Sequence, residues 1–182
     1  MQTEGRVGSD TQTVWLIDAG HTTVEFTVKN LFFFNVKGCF SNLVGNMVLD
    51  EADIRRSSVT IAIKTASIDT GLKRRDAHLR SADFLQVDRY PDIRFESTKV
   101  ERGRDRDTLS VTGLLTIKEK SREVLLEVNE VDRSCSPSGE QVVYYTALTE
   151  LDRFDFEIKH GRGLIGRRLK IAINVQASRQ NE

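Results

Sequence analysis

Proline is scarce in this chain of 182 residues, which contains only Pro91 and Pro137. Because proline removes a backbone donor from a β-ladder, its scarcity leaves long strands uninterrupted. Cysteine is equally scarce, and Cys39 and Cys135 lie far apart, without the CxxC spacing of a metal or redox site. We therefore expect two reduced thiols, one in the core and one in an exposed loop, and no disulfide.

The chain also lacks net charge and long apolar runs. Lysine and arginine together number 27, as do aspartate and glutamate, so no overall field attracts nucleic acid. No window reaches the roughly 18 apolar residues of a membrane-spanning helix, and the first dozen residues contain no signal-peptide segment. These absences predict a cytoplasmic protein without an integral membrane segment, in which one domain over residues 13–179 follows a disordered tail over residues 1–12.

Alternation of apolar and polar residues with period two is what the chain has in abundance. Val24, Phe26 and Val28 share one face of a predicted strand, and the residues between them share the other. The pattern returns around residues 59–63, 93–95, 111–117, 124–128 and 169–175. Without long crossovers, neighbouring strands should pair antiparallel. The sequence therefore predicts an all-β protein of about eight or nine strands that form a barrel or a sandwich.

One charged stretch, SIDTGLKRRDAHLRSADF, interrupts the alternation between two predicted strands. Asp69 and Thr70 are good N-cap residues, and the spacing that follows predicts a short helix near residues 71–82. Because a short helix needs tertiary burial to persist, we expect Leu72 and Leu79 to pack it beside a barrel opening or on the outer wall, with Phe84 continuing the apolar contact.

Charged residues of this helix have two readings. Lys73, Arg74 and Arg75 place positive charge in the first turn, where the helix dipole favours anions, so they form either a solvated face or a contact for an anionic head group. For Arg75 and Asp76 we predict a structural ion pair and hydrogen-bond set that tie the helix to the barrel.

Two further motifs are weaker than they first appear. The segment from Gly161 to Gly166 has G-x-G-x-x-G spacing, but a strand follows it instead of a helix, so we interpret it as a glycine-rich hairpin. Asp152, Asp155, Glu157 and His160 gather metal-ligand types, yet strand alternation would separate them, and we interpret them as surface charges. We assign no catalytic and no metal residue.

The chain resembles the YceI-like family, lipocalin-like antiparallel β-barrels known for binding polyisoprenoid lipids. The most specific matching block contains SIDTG at residues 67–71, RDAHLRS at residues 75–81, Asp83-Phe84 and Tyr90-Pro91. Further matches run in order from Trp15 to Ala177. Two positions depart from the family pattern: Asn30 stands where histidine is common, and Glu157 where glycine is common.

The resemblance implies an antiparallel eight-stranded lipocalin-like barrel with an apolar interior that holds a lipid. An eight-stranded barrel is wide enough either to fill itself with side chains or to hold one small ligand. The residues that we predict to contact the ligand are Phe26, Val28, Phe34, Phe40, Ile61, Ile63, Phe84, Phe95, Leu115, Leu126, Tyr145 and Ile171.

The function implied is the binding, sequestration or transport of a long-chain isoprenoid or similar amphiphilic lipid, without a cofactor other than a bound isoprenoid or quinone-like lipid. Two alternatives stay open. One is a barrel enzyme that acts on a bound apolar substrate, with His21, His78 and Asp76 as its candidate titratable groups. The other is a stress-response module whose core is filled by side chains. The sequence also leaves a homodimer open.

Overall fold

A computed structural model of the protein describes residues 11–31, 33–105 and 107–180. In these residues eleven β-strands and one α-helix follow one another: β1 (Gln12–Ile17), β2 (Thr23–Asn30), β3 (Phe34–Phe40), β4 (Leu43–Asp50), β5 (Ser58–Lys64), β6 (Ile68–Asp69), α1 (Lys73–Arg80), β7 (Asp92–Arg102), β8 (Thr108–Ile117), β9 (Lys120–Cys135), β10 (Gln141–Asp152) and β11 (Ile165–Arg179). Three short 3₁₀ turns connect some of them: Ile54–Arg56, Thr65–Ser67 and Arg153–Phe156.

The predicted alternation holds in the strands. In β2, Val24, Phe26 and Val28 are buried, while Thr23 and Glu25 are exposed. This is the pattern of a sheet with one face on a core and one face in water, since successive side chains point to opposite faces. The period-two signal therefore identified the buried face correctly.

Eight of the strands close into a barrel. The order of pairing is β1–β4–β5–β7–β8–β9–β10–β11, and β11 pairs back with β1, all antiparallel. Closure leaves these strands without a free edge along the ring, which removes the tendency of edge strands to aggregate. The prediction of an antiparallel eight-stranded barrel is confirmed.

The remaining three strands form a branch on β11. Residues Ile165 to Asn174 of β11 pair with β2, whereas Ala177 to Arg179 pair with β1. Beyond β2 come β3 and then the two-residue β6, so β3 pairs with β6 while β4, the next strand of the chain, pairs with β1 and β5. The wall divides between β3 and β4, and α1 follows β6 directly at this division.

The helix is shorter than the predicted range of residues 71–82. It spans Lys73–Arg80 and is preceded by Leu72, not by Asp69 or Thr70, as its N-cap. Asp69 instead serves the turn before the helix, where its Oδ1 accepts from the Gly71 amide at 2.7 Å, and Gly71 has a φ of 79°. Because that left-handed conformation suits glycine, the chain turns there and the helix starts two residues later.

The largest buried cluster lies away from the helix. It contains Trp15, which is 1% exposed, with Val143 and Ala177 at 0%. These residues come from β1, β10 and β11, the strands that close the barrel. Packing of β1 against β11 therefore seals this part of the interior.

Other predictions about the chain have different outcomes. Residues 1–10 of the predicted tail lie outside the described residues, and β1 already begins at Gln12. Both thiols are free; Cys39, predicted in the core, is half-buried, and Cys135, predicted in an exposed loop, is exposed at the end of β9. Among the described residues no helix is long and apolar enough to cross a membrane.

Candidate ligand-binding site

The half of the barrel next to α1 encloses a large cavity of about 510 Å³. This volume lies in the range of about 300–1,000 Å³ typical of small-molecule pockets. Ten of the twelve predicted ligand contacts line it: Phe26, Val28, Phe40, Ile61, Ile63, Phe84, Phe95, Leu115, Leu126 and Ile171. Alternation thus placed almost all of the candidate residues on the wall of one cavity, and the interior is not filled by side chains.

Phe34 is the predicted contact that lies outside both cavities. It has the inward parity of β3 and pairs with Asn30, but its side chain is 66% exposed. Asn30 and Phe34 are the terminal pair of the β2–β3 ladder, so the opposite wall does not continue around them. The alternation therefore assigned Phe34 to the correct face of β3. Its side chain is nevertheless exposed, because it lies at the end of the strand.

Tyr145 faces a second, small cavity of about 80 Å³ instead of the large one. Its hydroxyl donates to Glu130 Oε2 at 3.1 Å, and desolvation together with that carboxylate raises the pKa of the phenol. Phe95, Leu126, Ile61 and Ile173 line both cavities and form the partition between them.

A glycine lets one aromatic ring lie flat against the wall of the large cavity. Gly38 pairs with Phe26 across the β2–β3 ladder, and a Cβ atom at Gly38 would overlap the Phe26 ring. The ring of Phe26 contacts Phe40 at a centroid distance of 6.0 Å. The wall is therefore aromatic at this point and has no room for a side chain at residue 38.

The exposed lining residues lie together at one end of the large cavity, which we call the mouth: Leu31, His78, His160 and Leu164. The Leu31 amide donates to the Leu164 carbonyl at 2.8 Å, and the rings of His78 and His160 lie 5.0 Å apart. Phe33, beside Leu31 in the turn after β2, is 87% exposed. The mouth thus combines exposed apolar side chains with two histidines.

The helix covers this mouth, as the sequence predicted, but with fewer apolar contacts than expected. Leu79 is half-buried in a cluster with Phe84, Leu85 and Phe156, and it lines the cavity. Leu72 is 57% exposed, because it lies before the first helical residue and outside the helical face. The prediction for Leu79 and Phe84 is confirmed, and that for Leu72 is wrong.

Hydrogen bonds through Thr70 attach the helix to the barrel. Buried Asp76 accepts from the Thr70 amide at 2.9 Å and from the Thr70 hydroxyl at 2.6 Å. Arg75 donates from Nε to the same hydroxyl and from a terminal nitrogen to the Thr70 carbonyl. Arg80 adds bonds to the carbonyls of Ala66 and Ile68. The predicted hydrogen-bond set is present, but Arg75 and Asp76 form no direct ion pair, because each of them bonds to Thr70 instead.

Arg153 holds the other side of the mouth. It is 5% exposed, and its guanidinium donates to four backbone carbonyls, at Ile158, His160, Ile165 and Gly166. Desolvation lowers the pKa of this arginine. Its planar fork of five donors suits such multiple bonding. One side chain therefore fixes the loop that carries His160.

The loop itself corrects the interpretation of His160. Glu157 is exposed and pairs with Lys159, as expected of a surface charge, whereas Asp152 is largely buried, accepts from the Phe154 amide and pairs with Arg167. His160, however, turns to the mouth of the cavity. The glycine-rich segment forms a turn in which the Gly161 carbonyl accepts from the Leu164 and Ile165 amides before β11 begins, as the hairpin interpretation requires.

Asp83 connects the two histidines of the mouth. Its Oδ2 lies 2.7 Å from His78 Nε2 and 3.8 Å from His160 Nδ1. The hydrogen bond from His78 lowers the pKa of this carboxyl, and His160 acts in the same direction. Sequence reasoning missed this group, because His160 lies in a loop where alternation gives no orientation.

The other two candidate titratable groups lie elsewhere. His21 Nδ1 is 2.8 Å from Asp18 Oδ2 in an exposed turn between β1 and β2. Asp76 is buried in its bonds to Thr70, as described above. Of the three, His78 alone lines the cavity.

The comparison with known proteins agrees with this architecture. Residues 15–177 match the YceI-like domain family. The chain belongs to that family. Protein YceI of Shigella flexneri is 32% identical over 160 residues, which cover 88% of this chain and 83% of that protein. The match therefore spans the barrel and the helix together.

Solved structures show the same fold. BcnA of Burkholderia cenocepacia superposes with a TM-score of 0.79 at 20% identity, covering 88% of this YceI-like chain and 98% of that one. A polyisoprenoid binding domain from Saccharophagus degradans, implicated in plant cell wall breakdown, superposes with a TM-score of 0.70 at 12% identity, covering 92% and 99%. At these identities the similarity is one of fold.

Proposed function

We propose that this protein binds one long-chain isoprenoid or similar amphiphilic lipid, with its apolar tail in the large cavity and its polar head at the mouth. The observation that carries the proposal is the 510 Å³ cavity, whose deep wall is built from Phe26, Ile63, Phe95 and Leu115 and whose open end carries two histidines. An apolar interior with polar groups at one end matches the two parts of an amphiphile.

Burial of the tail supplies the affinity. Transfer of hydrocarbon out of water yields about 0.8 kcal/mol per CH₂ group, or about 4 kcal/mol for a five-carbon unit as an upper bound. Immobilising a ligand costs about 4–15 kcal/mol, so a few such units outweigh the cost without any catalytic chemistry. A longer tail should therefore bind more tightly until the cavity is full.

Two comparisons support the same ligand class. The chain belongs to the YceI-like domain family, and a solved structure with the same fold is a polyisoprenoid binding domain. Because that domain is 12% identical, its ligand class is a guide to the choice of probes. Sequestration or transport, a quinone-like ligand, a homodimer and a cytoplasmic location stay predictions.

The test adds a large side chain in the middle of the cavity. Ile63 lines the cavity on β5, and Val44 lies beside it on β4 with its side chain 63% exposed. We expect Ile63→Trp to abolish binding of geranylgeraniol, measured by native mass spectrometry. Val44→Trp adds the same indole nearby, outside the cavity, and should bind like the wild type. Organic extracts of gently purified wild-type protein should also contain an isoprenoid or similar lipid.

Two results would contradict the proposal. Equal binding by Ile63→Trp and the wild type would place the ligand outside the cavity. A product of altered mass, formed from the bound lipid and lost in His78→Ala, would favour the barrel enzyme, because His78 is the candidate titratable group that lines the cavity. A wild-type protein that neither contains nor binds lipid would favour the stress-response module.

A further inference from the structure

The mouth of the large cavity brings together three side chains of metal-ligating type. Within residues 11–31, 33–105 and 107–180, His78, Asp83 and His160 are the one group of three or more histidine, cysteine or acidic residues whose ligand atoms converge, all within 4.8 Å of one another. They come from two segments: α1 and the residues just after it supply His78 and Asp83, and the loop before β11 supplies His160.

The two segments that carry the three side chains are positioned before any ion binds. The His78 carbonyl accepts from the Ser81 hydroxyl, which in turn accepts from the Asp83 amide. On the other segment, the His160 carbonyl accepts from Arg153 at 2.8 Å. Phe84 packs edge-on against both imidazole rings at centroid distances of 5.0 Å. The backbone of both segments and one ring contact to each histidine are therefore in place without an ion.

We propose that His78, Asp83 and His160 form a binding site for a divalent first-row transition-metal ion such as Zn²⁺. Imidazole nitrogen and carboxylate oxygen are ligands that these ions accept, and two histidines with one carboxylate form a recurring set with open coordination positions. Ligand atoms bound to one ion at about 2.0–2.2 Å lie about 3.4 Å apart. Shifts of about 1 Å would bring the present atoms to that spacing.

The exposure of the ligands shows which kind of site this is. The three side chains are 48%, 52% and 43% exposed, so the ion would stay open to solvent on one side. Zinc sites with three protein ligands keep the fourth position for water or a substrate atom, whereas closed structural sites use four protein ligands. His78 and His160 also line the cavity, so a ligand held there can reach the ion.

The position of the ion gives it a role in the proposed lipid binding. This part of the inference rests on the proposed function, whereas the metal site itself does not. An oxygen atom of the amphiphile's head group, from a hydroxyl or a phosphate, would occupy the open coordination position. The ion would also connect α1 to the loop of His160 and so hold the two sides of the mouth together.

The chain contains a matched control. His21 Nδ1 and Asp18 Oδ2 form a contact of 2.8 Å, close to the 2.7 Å contact of His78 and Asp83, but without a second histidine. If a simple histidine–aspartate pair were enough to bind the ion, His21→Ala and His78→Ala would have similar effects. Convergence of three ligands predicts that they differ.

The first experiment titrates untagged, chelator-treated full-length protein with ZnCl₂ by isothermal titration calorimetry, with Co²⁺ absorption spectra as a second measurement. We expect one equivalent to bind. His78→Ala and His160→Ala should each weaken binding by at least about tenfold, since loss of even an outer-shell partner costs about 10–100-fold. His21→Ala should bind like the wild type. Circular dichroism checks that each variant is folded.

The site is overturned if the wild type does not bind Zn²⁺, or if folded His160→Ala binds it as tightly as the wild type does. Equal losses in His21→Ala and His78→Ala would overturn it too, because they would indicate separate histidine–aspartate pairs. His160 lies on a different segment from α1, so its variant tests the site even if His78→Ala is unstable.

A second experiment separates the head-group contact from the lipid proposal. Binding of geranylgeranyl monophosphate is measured with and without one equivalent of Zn²⁺, in the wild type and in His160→Ala. We expect Zn²⁺ to strengthen binding by at least about tenfold in the wild type alone, in line with a direct ligand. Zn²⁺ binding without lipid binding would contradict the proposed function and leave the site standing. Lipid binding that ignores Zn²⁺ would overturn the head-group contact.

Discussion

The two ends of this barrel are built from the same alternating strands, yet one is filled and the other is hollow. The end that contains Met47 and Tyr145 leaves a cavity of about 80 Å³, whereas the end at α1 leaves a cavity of about 510 Å³. At the filled end β1 pairs with both β4 and β11, while at the hollow end the wall divides and a helix covers the gap.

Side-chain size contributes to the same difference. The filled end contains Trp15, Met47 and Tyr145, with Trp15 Nε1 donating to the Thr13 hydroxyl at 2.8 Å. The hollow end is lined mainly by valine, isoleucine, leucine and phenylalanine. Alternation decides which face is buried, but strand closure and side-chain volume decide whether that face meets another side chain or a space.

Truncation at the filled end should have the largest effect. Trp15→Ala removes a side chain that is 1% exposed, and we expect a loss of about 3–5 kcal/mol in the free energy of unfolding. Phe26→Ala truncates a ring that already borders the large cavity, so its cost should lie near the lower end of that range. Urea denaturation measures both. A larger loss in the free energy of unfolding for Phe26→Ala than for Trp15→Ala would contradict the conclusion that one end is filled and the other hollow.

Substitution by a larger side chain should destabilise the filled end more than the hollow end. Ala177 is 0% exposed and lines neither cavity, so Ala177→Leu should cost about 1–3 kcal/mol. Ile63→Trp adds more atoms at the large cavity, and we expect less than about 1 kcal/mol because space is available. Thermal unfolding followed by circular dichroism compares the two. Similar losses would mean that the large cavity is not open to a side chain.

Acidification should act on the loop at the filled end. Buried Asp50 accepts from the amides of Ala52 and Asp53 and from the Thr11 hydroxyl, and these bonds lower its pKa, with the Asp53 amide as the largest cause. A lowered pKa stabilises the fold above the unfolded value of about 3.9, and this stabilisation is lost as the pH falls through the folded value.

The measurement compares the wild type with Asp50→Asn between pH 7 and pH 3. At pH 7 the wild type should have a higher melting temperature than Asp50→Asn. The difference between the two melting temperatures should become smaller below about pH 4. A difference that stays constant over this range would show that the charge of Asp50 does not stabilise the loop.

A substitution at Glu157, at the hollow end, should produce a small gain in stability. Glu157, between the cavity residues Phe156 and Ile158, has a φ of 58°, a left-handed conformation that suits glycine. Glu157→Gly should stabilise the fold by up to about 1 kcal/mol. Lys159→Ala is the control, because it removes only the exposed ion pair with Glu157. If Glu157→Gly were less stable than this control, the backbone at Glu157 would not be strained.

Many residues of the cavity wall could be predicted from the sequence. Phe26, Ile63 and Phe95 were placed correctly on the cavity wall, because each lies inside a strand with clear alternation. Phe34 and Tyr145 lie on the faces that the alternation predicted, but neither lines the large cavity. The alternation shows on which face of a strand a side chain lies. It does not show the position of that side chain along the barrel axis, because this position depends on the register between strands.

The sequence by itself determined the β class, the buried face of the strands with clear alternation, the YceI-like family and the existence of one helix, because these follow from local spacing and from a specific block of residues. Only the tertiary structure decided that one end is hollow and that His78, Asp83 and His160 meet at its mouth. Closure of β1 on β11 brings distant segments together, and the bonds of Arg153 fix the loop that carries His160. Such long-range geometry leaves no period in the sequence.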